Sequence, residues 1–147
     1  MNEIYKEGKL VLVSCMIIND KNEMLLLYRK DHKHLETAGG RVESSDVENP
    51  QKITIDELKR AAIREAHEEL GDIELAPLKL FKSTEFKIPD GRNAIAHKFL
   101  TKIIKGTPKI MEPERFLRIE WISLNEFDKH LVSPDLKLLA NKLKNLV

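Results

Sequence analysis

Apolar side chains, many of them β-branched, fill residues 10–18; Asn19-Asp20-Lys21-Asn22 then supplies turn chemistry, and residues 24–28 are apolar again. This pattern predicts a β-hairpin. Gly39-Gly40 ahead of Arg41-Val42 suggests a short strand entered through a glycine bend. Residues 43–52 are polar, contain Pro50 and show no period, so they read as a loop. The period then changes. Thr54 followed by Glu57 fits a capping box, in which hydroxyl and carboxylate satisfy each other's free amides at a helix start. Leu58, Ala62, Ala66 and Leu70 recur as one apolar stripe, and Gly71 is placed to end the helix. Two extended runs, 79–88 and 94–104, flank Pro89-Asp90-Gly91 and predict a second hairpin. Residues 118–123 read as a last strand, and 124–130 and 134–146 as two closing helices, the second with Ser133 as N-cap and Pro134 in its first turn. Strands before, around and after one long helix predict an α/β fold, with a mixed sheet carrying helices on its faces.

A chain of 147 residues suits a single hydrophobic core, so residues 1–147 are expected to form one domain. With 41% hydrophobic and 33% charged residues, the composition is that of a globular protein and excludes a disordered, collagenous or disulfide-built chain. The 25 basic and 24 acidic residues nearly cancel to a net charge of +1, giving no overall pull toward nucleic acid or an anionic membrane. A polyanion must therefore be recognised locally. No run approaches the roughly 20 apolar residues of a membrane span, and the N-terminus lacks the basic start and apolar core of a signal peptide; a cytoplasmic location is expected. The single Cys15, inside the first apolar run, reads as a buried structural residue rather than a nucleophile.

The predicted central helix also carries Glu65, Glu68 and Glu69, whose i, i+3, i+4 spacing confines them to a sector of about 100°. Like charges at this spacing repel, and near a helix C-terminus the helix dipole disfavours them as well. A solvated charged face is the bland explanation. The functional one is a compensating cation, and clustered carboxylate oxygens suit a hard ion such as Mg²⁺ or Mn²⁺.

The surrounding residues sharpen that choice. Gly39-Gly40-Arg41-Val42-Glu43, followed by Ala61-Ala62-Ile63-Arg64-Glu65-Ala66-His67-Glu68-Glu69-Leu70-Gly71, resembles the Nudix hydrolase signature G-x5-E-x7-R-E-U-x-E-E-x-G-U, where U is apolar. The resemblance implies a Nudix-type α/β/α sandwich with a mixed central sheet. It also implies Mg²⁺-dependent hydrolysis of a diphosphate linkage in a nucleoside triphosphate or other nucleoside diphosphate derivative, by attack of metal-activated water on phosphorus. By position, Glu65, Glu68 and Glu69 would bind the metal, Gly40, beside Gly39, would add a backbone carbonyl, and Arg64 would orient a glutamate. A catalytically inactive nucleotide-binding or protein-interaction module on the same fold is the alternative.

Three departures stand out. The first half is stretched by about ten residues: alignment from Gly40 puts Asp46 at the family's first glutamate, whereas counting back from Arg64 puts Asp56 there. Asp72 stands where an apolar residue is expected, with Ile73 one step later. The segment His34-Leu35-Glu36-Thr37-Ala38 lacks the aromatic and proline that many members carry before the glycines. The lengthened loop could gate the metal site, but a plain surface extension is the favoured reading.

Outside the signature, Glu112 and Glu114, flanking Pro113, are candidate acceptors of the water's proton, with a solvated loop as the competing reading. Glu85 is a weaker candidate. Arg29, with Lys30, ends the second apolar run and is a candidate phosphate contact. His67 points away from Glu65 around the helix and is expected to pack or face solvent, Trp121 to fill core, and Pro89 to serve its turn. The expected partner is a small-molecule nucleotide, bound by a monomer or homodimer.

Overall fold

The computed structural model describes residues 2–146. In chain order the elements are β1 (Tyr5–Lys6), β2 (Lys9–Ile17), β3 (Glu23–Arg29), β4 (His34–Glu36), β5 (Ala38–Arg41), α1 (Ile55–Leu70), β6 (Glu74–Leu75), β7 (Lys79–Lys87), β8 (Asn93–Thr101), β9 (Ile103–Lys105), β10 (Phe116–Ser123) and α2 (Pro134–Lys144), with single 3₁₀ turns at Ser44–Asp46 and Phe127–Lys129.

β2 is the middle of the main sheet. One edge pairs in parallel with β8 from Leu10↔Ala94 to Ile17↔Thr101, and the other pairs antiparallel with β1 and then β5. β7 adds an antiparallel strand beyond β8, closing the second predicted hairpin through the Pro89-Asp90-Gly91 turn. The Ile88 amide donates to Arg92 O at 3.0 Å, and Gly91 takes φ 94°, a left-handed conformation that glycine reaches without strain. The predicted strand 94–104 divides at Lys102, and β9 departs to pair with β6.

The first predicted hairpin does not form. Strand pairing between the two runs is limited to the Ile18–Met24 bridge, after which β3 joins β10 and β4 in a separate sheet. Both strands are apolar on both faces, so their pattern marks neither a preferred face nor a preferred partner, and both edges of β2 are already taken. β3 instead lies between two cores. Leu25 and Leu27 join the packing of β2, β8 and α1, while Met24 and Leu26 join Leu136, Leu139 and Leu143 of α2. Complete burial of a residue such as Leu27 contributes about 1.5–3 kcal/mol. The predicted helix over 124–130 is likewise reduced to its 3₁₀ turn: Phe127 is buried, but Leu131 lies exposed, so no stripe continues past one turn.

α1 forms where its cap and stripe place it. Thr54 Oγ1 accepts the Glu57 amide at 3.1 Å and Glu57 Oε1 accepts the Thr54 amide at 2.9 Å. Glu57 Oε2 also accepts the Glu48 amide at 2.7 Å, tying the lengthened loop to the helix start. Leu58, Ala61, Ala62, Ala66 and Leu70 pack on the sheet, and the small alanines let the backbones approach until the Cys15 thiol reaches Ala62 O at 3.5 Å. Burial pushes that thiol up to about 12, as suits a structural cysteine. Gly71, at φ 90°, ends the helix; Asp72 turns to solvent and Ile73 fills the apolar place behind it.

Candidate active site

The three helix carboxylates share a side of α1 but not an environment. Glu68 is exposed, whereas Glu65 and Glu69 are buried against β5. Glu69 Oε1 accepts the Gly39 amide at 2.9 Å, and its Oε2 is buried with no hydrogen-bond partner among the described residues. The Arg115 guanidinium lies 3.8 Å from that oxygen. Close approach explains the paired glycines. A Cβ on Gly39 would stand 2.3 Å from Val13 O, and one on Gly40 would stand 2.5 Å from Glu65 Oε2. Gly40→Ala therefore forces Glu65 out of place and is expected to abolish most activity with little change in melting temperature, whereas Gly39→Ala meets backbone and is expected to destabilise the sheet; thermal melts beside activity assays separate the two.

Arg64 clamps the cluster. Its Nε and Nη2 donate to Asp46 at 2.9 and 2.8 Å, Nη1 donates to Glu65 at 3.1 Å and Glu68 at 2.9 Å, and Nη2 also reaches Arg41 O at 3.2 Å. Asp46 thus occupies the position opposite the arginine, while Asp56 is exposed in the first turn of α1. Burial alone would raise the Asp46 carboxyl, but hydrogen bonds from Arg64 and the Glu43 amide hold it below its ordinary value. Asp46→Ala should cost about 1.5–3 kcal/mol, the worth of a charge-assisted hydrogen bond, and Asp56→Ala under about 1 kcal/mol. Denaturant unfolding of the two variants checks this order.

Burial pushes the Glu65 carboxyl up to about 7, with Arg64 opposing and Glu68 adding to the rise. Glu69 is pushed up to about 9, again by burial, against the Gly39 amide. Two buried carboxyls, one with an oxygen that has no hydrogen-bond partner among the described residues, form an all-oxygen donor set whose ionised forms burial disfavours, and a hard divalent cation fits such a set by offsetting that cost.

Glu65, Gly39 and Gly40 also line a cavity of about 540 Å³, within the range of small-molecule sites. Arg29, Arg41 and Arg115 stand on its walls. Arg29 is held by Asp31 through Nε at 2.8 Å, with Glu36 3.6 Å from its Nη1. Glu112 accepts from Arg115 at 3.0 Å but does not line the cavity, and Glu114 is exposed away from it. Glu85 pairs with Lys9 at 3.1 Å on the far strand, and Lys30 faces solvent. His67 bonds to Ile73 O at 2.8 Å, Trp121 packs beside the core, and Pro89 lines the cavity as well as shaping its turn.

Sequence reading missed several cavity residues, among them Arg41, Glu43, Lys98, Arg115 and Asp135. Arg115 and Glu43 were hidden in polar segments. Lys98 and Asp135 form a buried ion pair on the cavity wall, joining β8 to the first turn of α2. Lys98 gave one signal: it is the polar residue among Ala94, Ala96 and Leu100 on one face of β8.

A carboxylate helix packs on a mixed sheet, with a glycine strand pressed against it beside a cavity that carries both arginines and carboxylates. The NUDIX domain family model matches residues 8–142, and the chain belongs to that family of pyrophosphohydrolases. Its fold is similar to the MutT NUDIX hydrolase from Burkholderia pseudomallei (23% identity, TM-score 0.67, covering 93% of this chain and 97% of that one). It is also similar to the MutT protein from Methanosarcina mazei Go1 (20%, 0.70, 97% and 98%). A third likeness is to the NUDIX domain of Shewanella oneidensis NrtR, solved with ADP ribose (14%, 0.70, 97% and 91%). No curated protein sequence matches the chain.

Proposed function

We propose that this protein hydrolyses a diphosphate linkage in a nucleoside triphosphate or another nucleoside diphosphate derivative with Mg²⁺, by attack of water on phosphorus. The observation that carries the reading is Glu69 Oε2, buried without a hydrogen-bond partner among the described residues, on a side chain that is held by the Gly39 amide behind the cavity wall of Glu65, Gly39 and Gly40. Glu65, Glu68 and Glu69, with the Gly40 carbonyl, would hold the ion, and Mn²⁺ would suit the same oxygens. When bound, the divalent ion lowers the pKa of water and neutralises phosphoryl charge.

The remaining roles fall to side chains. Arg64, fixed by Asp46, orients Glu65 and Glu68 toward one point. Arg29, Arg41 and Arg115 complement the phosphates. Arg115 is in turn positioned by Glu112. Glu43, half-buried on the cavity wall, replaces Glu112 and Glu114 as the candidate acceptor of the water's proton. Small-molecule nucleotides are the partners, a monomer or homodimer the working form, and the cytoplasm the location; no described helix is long and apolar enough to cross a membrane.

The test is an Mg²⁺-supported hydrolysis screen over nucleoside triphosphates, oxidised purine triphosphates, ADP-ribose, nucleotide sugars and dinucleoside polyphosphates, with products resolved to locate the attacked phosphorus. Silence across the panel, together with nucleotide binding unaffected by Glu68→Gln, would establish the inactive binding module instead.

A further inference from the structure

The helix carboxylates leave a second donor set unused, and it lines the same cavity from β4 and the turn that leads into it. In an extended chain alternate residues share a face, so β4 sends His34 and Glu36 to the same side while Leu35 is buried on the other. Lys33, at φ 54°, takes a left-handed turn that returns His32 beside them. One donor atom from each of His32, His34 and Glu36 lies within 4.8 Å of the others, and the two imidazole centroids are 5.2 Å apart. All three side chains line the cavity.

We propose that His32, His34 and Glu36 form a second metal site, selective for a borderline transition ion such as Zn²⁺, Co²⁺ or Ni²⁺ and separate from the hard-ion carboxylates of α1. Imidazole nitrogen suits these ions and is a poor ligand for Mg²⁺. The spacing agrees. Two donors bonded at about 2.1 Å stand about 3.0 Å apart at a right angle and about 3.4 Å apart at the tetrahedral angle, and His34 Nε2 lies 2.9 Å from Glu36 Oε1, in a hydrogen bond that a small opening would convert to shared ligation. Half-buried His32 closes the set by rotating about its side-chain bonds.

Charges around the set are consistent with this use. Glu36 divides its oxygens, Oε1 toward His34 and Oε2 toward Arg29 at 3.6 Å, so one oxygen ligates while the other keeps an orienting partner. The tighter ion pair of Arg29 is with Asp31, at 2.8 Å, which draws its charge away from the donors. Asp31 Oδ2 also lies 3.8 Å from His32 Nε2 and adds negative charge behind it. Three protein ligands leave coordination positions facing the cavity, where an anionic oxygen of a bound molecule is the natural further ligand.

The test uses untagged protein, freed of metal by chelation, titrated with Co²⁺ under a millimolar excess of Mg²⁺ and followed by visible absorption. The expected result is one equivalent of Co²⁺ bound despite Mg²⁺ and displaced by Zn²⁺. His32→Gln and His34→Gln should each weaken binding at least ~10-fold, and Glu68→Gln should leave it unchanged. Binding that ignores both histidine substitutions, or that is lost to Mg²⁺ or to Glu68→Gln, overturns the proposal. Thermal melts confirm that the variants fold; His32, on an exposed turn, carries the test if His34→Gln does not. The readout is independent of hydrolysis, so its failure leaves the proposed activity untouched.

Discussion

Glu65→Gln is expected to lower Mg²⁺-supported hydrolysis by roughly 10²–10³-fold, the scale of losing one preorganised electrostatic group, while raising the melting temperature of the metal-free protein at pH 8. The substitution keeps the shape of the side chain, so Gly40 still has its neighbour and Arg64 keeps Asp46 and Glu68. What disappears is a buried negative charge. Without a cation that charge only costs stability, because the Glu65 carboxyl, pushed up to about 7, is largely ionised at pH 8. With a cation it is one of the groups that hold it. Opposite movements of activity and stability distinguish a site built for an ion from a structural position, where both would fall together. Steady-state kinetics and melts in chelator make the comparison, and a variant of full activity would sink the assignment.

Stability of the metal-free protein should fall as pH rises from about 5 to 9, and Mg²⁺ should reverse the fall. Both Glu65, at about 7, and Glu69, at about 9, titrate above their ordinary value of 4.5 because burial disfavours their charged forms. A group raised in the folded state contributes stability that is full below its unfolded pKa and is lost as pH climbs through its folded one. Loss therefore begins above pH 4.5, deepens through 7 and continues toward 9. Asp46 is held low and acts in the other direction, removing stability only under acidic conditions. A divalent ion that binds only the native state adds about 2.7 kcal/mol at a hundredfold excess over its Kd, or about 5–10 °C for a chain of this size. The Mg²⁺-induced shift should be larger at pH 8 than at pH 6, since protons compete for the same oxygens. Calorimetry with and without Mg²⁺ measures it. A flat or rising profile in chelator from pH 6 to 9 would contradict the buried-carboxylate geometry.

What could be read from the sequence was what is locally determined. Thr54, Glu57, the apolar stripe and Gly71 define α1 within one segment, and helical periodicity alone gathers Glu65, Glu68 and Glu69 on one side. Periodicity does not give depth. That Glu69 is almost wholly buried and Glu68 is exposed depends on β5 lying against one edge of the helix. The choice between Asp46 and Asp56 could not be made by counting, because a loop of extra residues separates the two registers; the donor fork of Arg64 settles which carboxylate faces it. β2 and β3 were mispaired because strands buried on both faces carry no alternation from which to read a partner. Arg115 and the Lys98–Asp135 pair come together only through tertiary packing between distant segments.

The parallel union of β2 with β8 also sets an order of events. Every acidic residue of the α1 cluster precedes β7 and β8 in the chain, yet the strand against which α1 packs obtains its parallel neighbour only from Asn93–Thr101. Non-local parallel pairing is slow because chain entropy is lost before contacts compensate it. During synthesis, then, β2 and β5, the strands that bury the two carboxylates, emerge before α1, whereas β8, which completes their sheet, follows it. The pocket that perturbs the carboxylates is completed late, when the second hairpin docks, so competence for catalysis is among the last properties the growing chain acquires.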